Sequence, residues 1–411
     1  MVIVYFLIIK CYGLLIAIAS LFNAKAAKWL NGRKNIFETI ESTLNNADEK
    51  RIWFHCSSLG EFEQGKPVME AVKNEYPEYK IVLTFFSPSG YEQKKNDAVA
   101  DYVFYLPLDG PLNAKKFIEL VKPKAAFFVK YEFWHFYIYY LRKQKIPCYH
   151  FSCLFRPAQI FFQFYGRFYK NILQRISHLF VQNQASLALL YKHSIPHVTV
   201  SGDTRFDRVY ENSLSPKKFE RIEQFIQNKK ILVAGSTWGD DENLLVQLIN
   251  ASTDYKFIIA PHEINEHRIN ELISLIQKKT VRFSQINNTD FTIADVLIID
   301  NVGMLSGLYQ YATITYIGGG FGAGIHNTLE AAVFGNPLIF GPKYQKFQEA
   351  VNLVKSNGAF SISDYVQLKD CFDALNADDA VIAAINLRNK KYVESKKGAT
   401  EVIMQYLRMN W

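Results

Sequence analysis

Short apolar runs alternate with helix-patterned segments along most of the chain, and this alternation starts twice. In the first round the runs are 51–56, 81–86, 102–106, 125–130, 148–153, 178–183 and 197–201, with amphipathic or capped segments such as 62–75, 112–121 and 184–193 between them. In the second round they are 230–235, 255–260, 280–284, 295–300, 312–317 and 337–340, with helical patterns at 240–250, 263–277, 326–334 and 347–356. Strands that are apolar throughout and separated by helices are buried on both faces, which is the signature of a parallel α/β sheet. The polar stretch 211–217 reads as a linker, and the tail 378–407 as charged helix. The expected fold is two doubly wound domains in tandem facing a cleft, and ligands of such sheets bind beyond the carboxyl ends of the strands. A length of 411 residues suits this, because each domain can bury its own core.

The first 22 residues carry one charge, Lys10, and are long enough to cross a bilayer. No basic segment precedes the apolar run, which argues against a cleavable signal peptide. Lys25, Lys28, Arg33 and Lys34 follow it, so the rest of the chain is expected on the cytoplasmic side. Lys10 keeps a helix lying in the interface open as an alternative, and a buried N-terminal helix is a third reading. Residues 1–205 hold 26 Lys and Arg against 16 Asp and Glu, a net of +10, whereas residues 206–411 hold 21 against 23, a net of −2. The +8 of the whole chain suits nucleic acid as well as membrane, but its confinement to the anchor-bearing half favours an anionic membrane and no nucleic acid. Five cysteines without a CxxC pair argue against a disulfide framework or a structural zinc site, and are expected as small buried residues in a reducing compartment.

Four segments could carry chemistry. Cys56–Pro67 follows a strand and opens a helix, with Gly60 suited to a tight turn and Glu61 at the helix start, where a carboxylate stays ionised and ready to accept a proton. An ordinary acidic first-turn residue would look the same. Lys130-Tyr-Glu-Phe-Trp134 places Glu132 at another strand end, so two carboxylates could serve acid–base work. Gly235-Ser-Thr-Trp-Gly leaves a strand with hydroxyl and backbone donors where a phosphate could sit, though without P-loop spacing. Residues 316–330 run from a strand through five glycines in seven residues into a helix start, and such glycines let backbone approach a ligand. Asn327 and Glu330 share a helix face and could hold ribose hydroxyls, or could form a capping box. A zincin-like reading of Pro261–His267 fails because its histidines are five residues apart, on different helix faces. The aromatic, basic segment 159–170 reads mostly as core, or as a platform for lipid.

In this order the motifs resemble those of the 3-deoxy-D-manno-octulosonic acid (Kdo) transferases, inverting glycosyltransferases of GT-B architecture, with two Rossmann-like domains. The resemblance implies an N-terminal membrane anchor helix (1–24), an acceptor-binding domain (25–210), a donor-binding domain (211–390) and a C-terminal helix (391–411) packing back on the first domain. Ser58-Leu-Gly-Glu61 matches the family segment whose glutamate is the general base, which implies Glu61 as base with Ser58 and Gly60 near the acceptor. Glu132-Phe-Trp134 implies that Glu132 stabilises the transition state or positions the acceptor. Gly202–Asp207 implies a charge-stabilising role for Arg205, in place of the family's lysine. The resemblance assigns cytidine monophosphate contacts to Ser236, Thr237, Pro261, His262, Val302, Gly303, Met304, Gly318, Gly319, Asn327, Thr328, Leu329 and Glu330. His262 stands where the family has arginine and Met304 where it has glutamate; Arg156 is a candidate for the lost cation and for acceptor binding.

The implied reaction is transfer of Kdo from CMP-Kdo to a lipid A precursor, lipid IVA, in lipopolysaccharide core synthesis. It would take place at the cytoplasmic face of the inner membrane, with no cofactor and no metal. A GT-B enzyme using a UDP-sugar on a lipid-linked acceptor is the rival, since a ribose-holding pair does not read the base. A membrane-surface binding protein that has lost activity is the other.

Overall fold

The first strand of each round lies inside its sheet, and the chain fills one side of it before crossing to the other. A computed structural model, which describes residues 1–46, 48–286 and 291–411, shows this in two units, residues 1–208 with 396–411 and residues 209–395. The first sheet comprises β1 (Lys50–Cys56), β2 (Tyr79–Phe85), β3 (Tyr102–Tyr105), β4 (Pro123–Val129), β5 (Cys148–Cys153), β6 (His178–Val181) and β7 (Val198–Val200). Their order is β3-β2-β1-β4-β5-β6-β7, all parallel. The second sheet comprises β8 (Lys230–Thr237), β9 (Tyr255–Pro261), β10 (Thr280–Arg282), β11 (Val296–Ile298), β12 (Ile314–Ile317), β13 (Leu338–Phe340) and β14 (Ala359–Ser361), in the order β10-β11-β9-β8-β12-β13-β14, again parallel. The direction of winding reverses between β1 and β4 in one sheet and between β8 and β12 in the other. These reversals are the switch points where doubly wound folds bind ligands.

Each sheet is covered on both faces, as its unbroken apolar strands require. On β1, Ile52, Phe54 and Cys56 face the helix Leu59–Glu75 and the C-terminal helix Ala399–Asn410. Trp53 points the other way, into Phe117, Phe128 and Tyr137. In the second unit Leu232 and Ala234 of β8 pack with Leu245 and Leu248 of the helix Gly239–Ala251.

The helix Val2–Ala19 is 18 residues long with a mean hydropathy of 2.5, and only 11% of it is buried, which overturns the reading of a buried helix. One flank docks on the first unit: Tyr5 Oη donates to Asp109 Oδ2 at 2.6 Å, Phe6 meets Phe136, and Tyr12 meets Trp29 and Phe86. Ile3, Leu7, Ile8, Leu14, Leu15 and Ile18 stay exposed. Arg33 is not a membrane-facing cation. It lies over the Trp29 ring at 3.8 Å and donates to the carbonyls of Trp29, Phe86 and Leu106, and burial pulls it down to about 9.

Other expectations need correction. The stretch 211–217 is not all linker, because the helix Thr204–Leu214 runs through its first half and the division between units falls inside that helix. The helix expected at 326–334 shrinks to Leu329–Ala332. Cys11 is exposed, unlike the buried Cys56, Cys148 and Cys153. In the segment 159–170, Phe161, Phe162, Phe168 and Tyr169 pack on the core while Phe164 and Tyr165 are exposed.

Candidate functional site

At the switch point of the first unit, β1 ends at Cys56 and the chain turns through Ser57 and Ser58 into the helix Leu59–Glu75. Ser58 occupies the N-cap but does not cap the backbone; its hydroxyl donates to Glu61 Oε2. Glu61 Oε1 lies 3.9 Å from Lys130 Nζ, at the end of β4. Gly60 is not in a strained turn. It sits inside the helix, and an added Cβ would meet nothing nearer than Ser58 Oγ at 3.9 Å, so the space above it is open. Across the switch point Glu132 Oε2 accepts from Trp134 Nε1 at 2.8 Å and lies 3.3 Å from His55 Nε2. Burial pushes the Cys56 thiol up, and both Glu61 and Glu132 push it further, so both carboxylates gather around the end of β1.

The segment after β7 supplies cation and scaffold together. Arg205 donates to Asp203 Oδ2 through Nε (2.9 Å) and Nη2 (2.8 Å), and its backbone N–H donates to Oδ1 at 3.0 Å. Gln64 Nε2 also reaches Asp203 Oδ1, at 2.9 Å. Burial pushes the Asp203 carboxyl up, but Arg205 outweighs it and holds the group below its usual range. Arg205 is therefore held by Asp203 beside the site rather than standing alone. Arg156 and Arg205 both act on Tyr131, which burial pushes up and they pull back, so the two cations share its neighbourhood. Asp207, at the end of the same motif, serves structure: it accepts from Gly398 N, Thr400 N and Thr400 Oγ1 and caps the C-terminal helix.

The second unit builds its switch point from backbone and rings. His262 N donates to Thr237 O, Gly318 N to Gly235 O, and His326 N to Gly318 O. Asp241 pins the loops together, accepting from Trp238 N, Gly319 N and Tyr316 Oη; burial pushes its carboxyl up. Trp238, His262 and His326 stack in a row, with centroids 4.6 and 4.4 Å apart, and Trp238 Nε1 donates to His326 Nε2 at 3.2 Å. Burial, with His262 adding, pulls His326 down to about 4, so its ring is neutral and its Nε2 accepts. Trp238 was not among the expected contacts; its signal was an aromatic residue at a strand-to-helix turn.

The glycines there let backbone pack closely on backbone. A Cβ on Gly318 would fall 2.2 Å from Ser236 O, on Gly319 2.5 Å from Gly324 O, and on Gly320 2.6 Å from Gly341 backbone. Asn327 and Glu330 do not form a capping box: Asn327 Nδ2 donates to Glu330 Oε1 at 2.9 Å, and Asn327 Oδ1 accepts from Leu329 N. Gly303 and Glu330 line a cavity of about 270 Å³ with Lys217, Ser306 and Val333. Val302 is 81% exposed and does not line it. Leu329 and Met304 are buried. Thr328 is buried beside them. Pro261 closes β9 opposite Thr237, and the segment after it is not a metal-binding helix, since the helix there begins at Glu266. Ser236 sits at φ 54° between Gly235 and Thr237, within the same turn.

Comparison with known proteins agrees with this layout. Residues 32–208 match the family model described as 3-deoxy-D-manno-octulosonic-acid transferase (kdotransferase). The chain is 24% identical over 361 residues to the 3-deoxy-D-manno-octulosonic acid transferase of Rickettsia typhi, covering 84% of this chain and 74% of that protein. It is 24% identical over 420 residues to the enzyme of the same name from Haemophilus influenzae, covering 97% and 93%. Among solved structures, UDP-GlcNAc 2-epimerase from Neisseria meningitidis superposes with a TM-score of 0.64 at 16% identity, covering 88% of this chain and all of the other, a likeness of fold alone. Two doubly wound units of GT-B type, together with these relatives over most of its length, make this chain a glycosyltransferase similar to the Kdo transferases.

Proposed function

We propose that the protein transfers Kdo from CMP-Kdo to a phosphorylated lipid A precursor, lipid IVA, with inversion at the anomeric carbon. The observation that carries this reading is the placement of Glu61 in the first turn of a helix at the switch point of the first unit, beside Lys130. Glu61 takes the proton of the acceptor hydroxyl as that oxygen attacks the anomeric carbon. The new carbon–oxygen bond forms as the bond to the phosphate breaks, and CMP leaves with its electron pair. Arg205 and Lys130 offset the negative charge that develops. The donor is handled by the second unit, with the Trp238–His262–His326 stack and the Asn327–Glu330 pair as its ring- and ribose-holding groups. A single phosphate can be neutralised by cations and amides, so the proposal calls for no metal ion.

The helix Val2–Ala19, with Lys25, Lys28 and Lys34 after it, fits attachment to the cytoplasmic face of the inner membrane. Because its docked flank runs from Tyr5 to Tyr12 along the first unit, attachment in the plane of the interface suits it better than a full span. The test is a transfer assay with CMP-Kdo and a tetraacylated lipid A precursor, read by product mass. Adduct masses of Kdo, and protection from thermal unfolding by CMP but not UDP, are expected. Protection by UDP alone, with no Kdo adduct, would replace this reading with a UDP-sugar transferase.

A further inference from the structure

Three buried polar side chains on β1 and β2 take no part in the chemistry above, yet they line up on Glu132. Trp53 and His55 lie two residues apart on one face of β1, and Thr84 of β2 is the register partner of His55. All three are fully buried. Trp53 Nε1 donates to Thr84 Oγ1 at 2.8 Å, Thr84 Oγ1 lies 2.9 Å from His55 Nδ1, and His55 Nε2 lies 3.3 Å from Glu132 Oε2.

Donor and acceptor capacities give this row a direction. An indole N–H can only donate, so the Thr84 oxygen receives it and must send its own proton elsewhere. The nearer acceptor is His55 Nδ1, since Phe54 O is 3.4 Å away. With Nδ1 accepting, the ring proton sits on Nε2 and points at a carboxylate, which only accepts. With both ring nitrogens protonated, Nδ1 can donate to Thr84 O at 3.1 Å while Nε2–H still donates to Glu132 Oε2. In both states Glu132 Oε2 therefore receives two N–H bonds, from His55 and from Trp134.

We propose that His55 is a positioning residue: the Trp53–Thr84–His55 row supplies a fixed N–H to Glu132, holds that carboxylate turned one way, and leaves its Oε1 to the substrate. This rests on the reading that Glu132 serves the transfer reaction.

Two measurements test it. In the ¹⁵N-histidine spectrum of the full-length protein, assigned with His55→Gln, the His55 ring should carry a proton on Nε2, alone or with one on Nδ1. A ring protonated on Nδ1 only would overturn the pairing whatever the enzyme's activity. In the transfer assay His55→Leu should lower kcat about 10-fold or more, with KM for CMP-Kdo within about twofold, since one hydrogen bond to a charged group is lost. His55→Gln, whose amide N–H reaches the same place, should recover most of this at similar thermal stability. Equal losses in the two variants would overturn positioning through the N–H. In a Glu132→Gln background His55→Leu should cost less than about threefold, because the charge it served is gone. Wild-type kcat in Glu132→Gln would overturn the role of Glu132, and with it the proposal, while the spectrum still judges the hydrogen bond. If His55→Leu does not fold, the spectrum and His55→Gln decide.

Discussion

The two sheets share a topology and differ in what they place at the point where it reverses. At β1 and β4 the first unit gathers charge: Glu61 beside Lys130, Glu132 under His55 and Trp134, Arg205 on Asp203. At β8 and β12 the second unit gathers rings, backbone donors and acceptors, and close-packed glycines. One arrangement can move a proton, and the other can hold a flat, hydroxylated ligand with few charges. Glu61→Gln probes this division most sharply. It keeps the shape of the first turn and removes the base, so transfer should fall by about 10²–10⁴-fold. Protection by CMP should be unchanged, because nothing in the second unit is altered. Transfer near the wild-type rate would sink the base assignment.

Glycine substitutions should also separate the units. Gly318→Ala forces a Cβ to 2.2 Å from Ser236 O and 2.6 Å from Thr237 Cα, both backbone atoms with no rotamer to escape into. A loss of about 3 kcal/mol or more is expected, read as a fall in Tm and faster hydrogen exchange along β8 and β12. Gly60→Ala has open space and a helical backbone, so it should raise stability by about 0.5–1 kcal/mol. Transfer should fall in that variant if the acceptor occupies the space above Gly60. A destabilised Gly60→Ala, or a tolerant Gly318, would reverse the contrast.

That contrast was only partly legible beforehand. The strands could be read because unbroken apolar runs admit few other folds, and β14 escaped because Ala359-Phe-Ser361 is too short to form such a run. Glu61 and Glu132 were legible as carboxylates just after strands, and Arg205 only through the family resemblance. The role of the glycines was not, because a motif rich in glycine looks the same whether its backbone approaches a ligand or Ser236 and Gly341. Nor were His55 and Trp238, whose partners lie 77 and 88 residues away in the chain. Hydrogen bonds at such separations follow from the register of the sheet and leave no local pattern.

Acid should distinguish the units more gently. In the first unit burial pulls His135 and His178 down to about 4 and His150, stacked between Phe128 and Phe133, down to about 3. The second unit has His326 at about 4. Each folded value lies below the unfolded 6.5, so below that pH the unfolded chain takes up protons that the folded chain refuses. Stability is thus full above 6.5 and falls as the pH drops towards 4. Asp109 opposes this: burial raises it to about 6, so between about 4 and 6 the folded chain holds a proton that the unfolded chain lacks. With three histidines against one aspartate, the first unit should lose on the order of 1–2 kcal/mol more than the second between pH 7 and pH 5. Hydrogen exchange of β4 and β5 against β8 and β12, corrected for intrinsic rates, reads the difference. Equal losses would mean that these histidines are hydrated.

The most local expected effect concerns how the chain end completes the first unit. The C-terminal helix Ala399–Asn410 buries Ile403, Met404 and Leu407 in the cluster that holds Phe54 and Phe62. Its N-terminus is entered through Gly398 at φ 111° and tied by Asp207, which accepts two backbone N–H groups and the Thr400 hydroxyl. Asp207→Ala leaves those donors without their acceptor but leaves the three apolar contacts in place. The cost should therefore be that of a helix cap, about 1–2 kcal/mol. Hydrogen exchange should quicken through 399–410, while the second unit's peptides stay unchanged. Asp207→Asn, which keeps an oxygen acceptor, should lose less than Asp207→Ala. If both variants lost all transfer at unchanged stability, Asp207 would belong with Arg205 in the chemistry, and the first unit's charged cluster would be wider than its switch point.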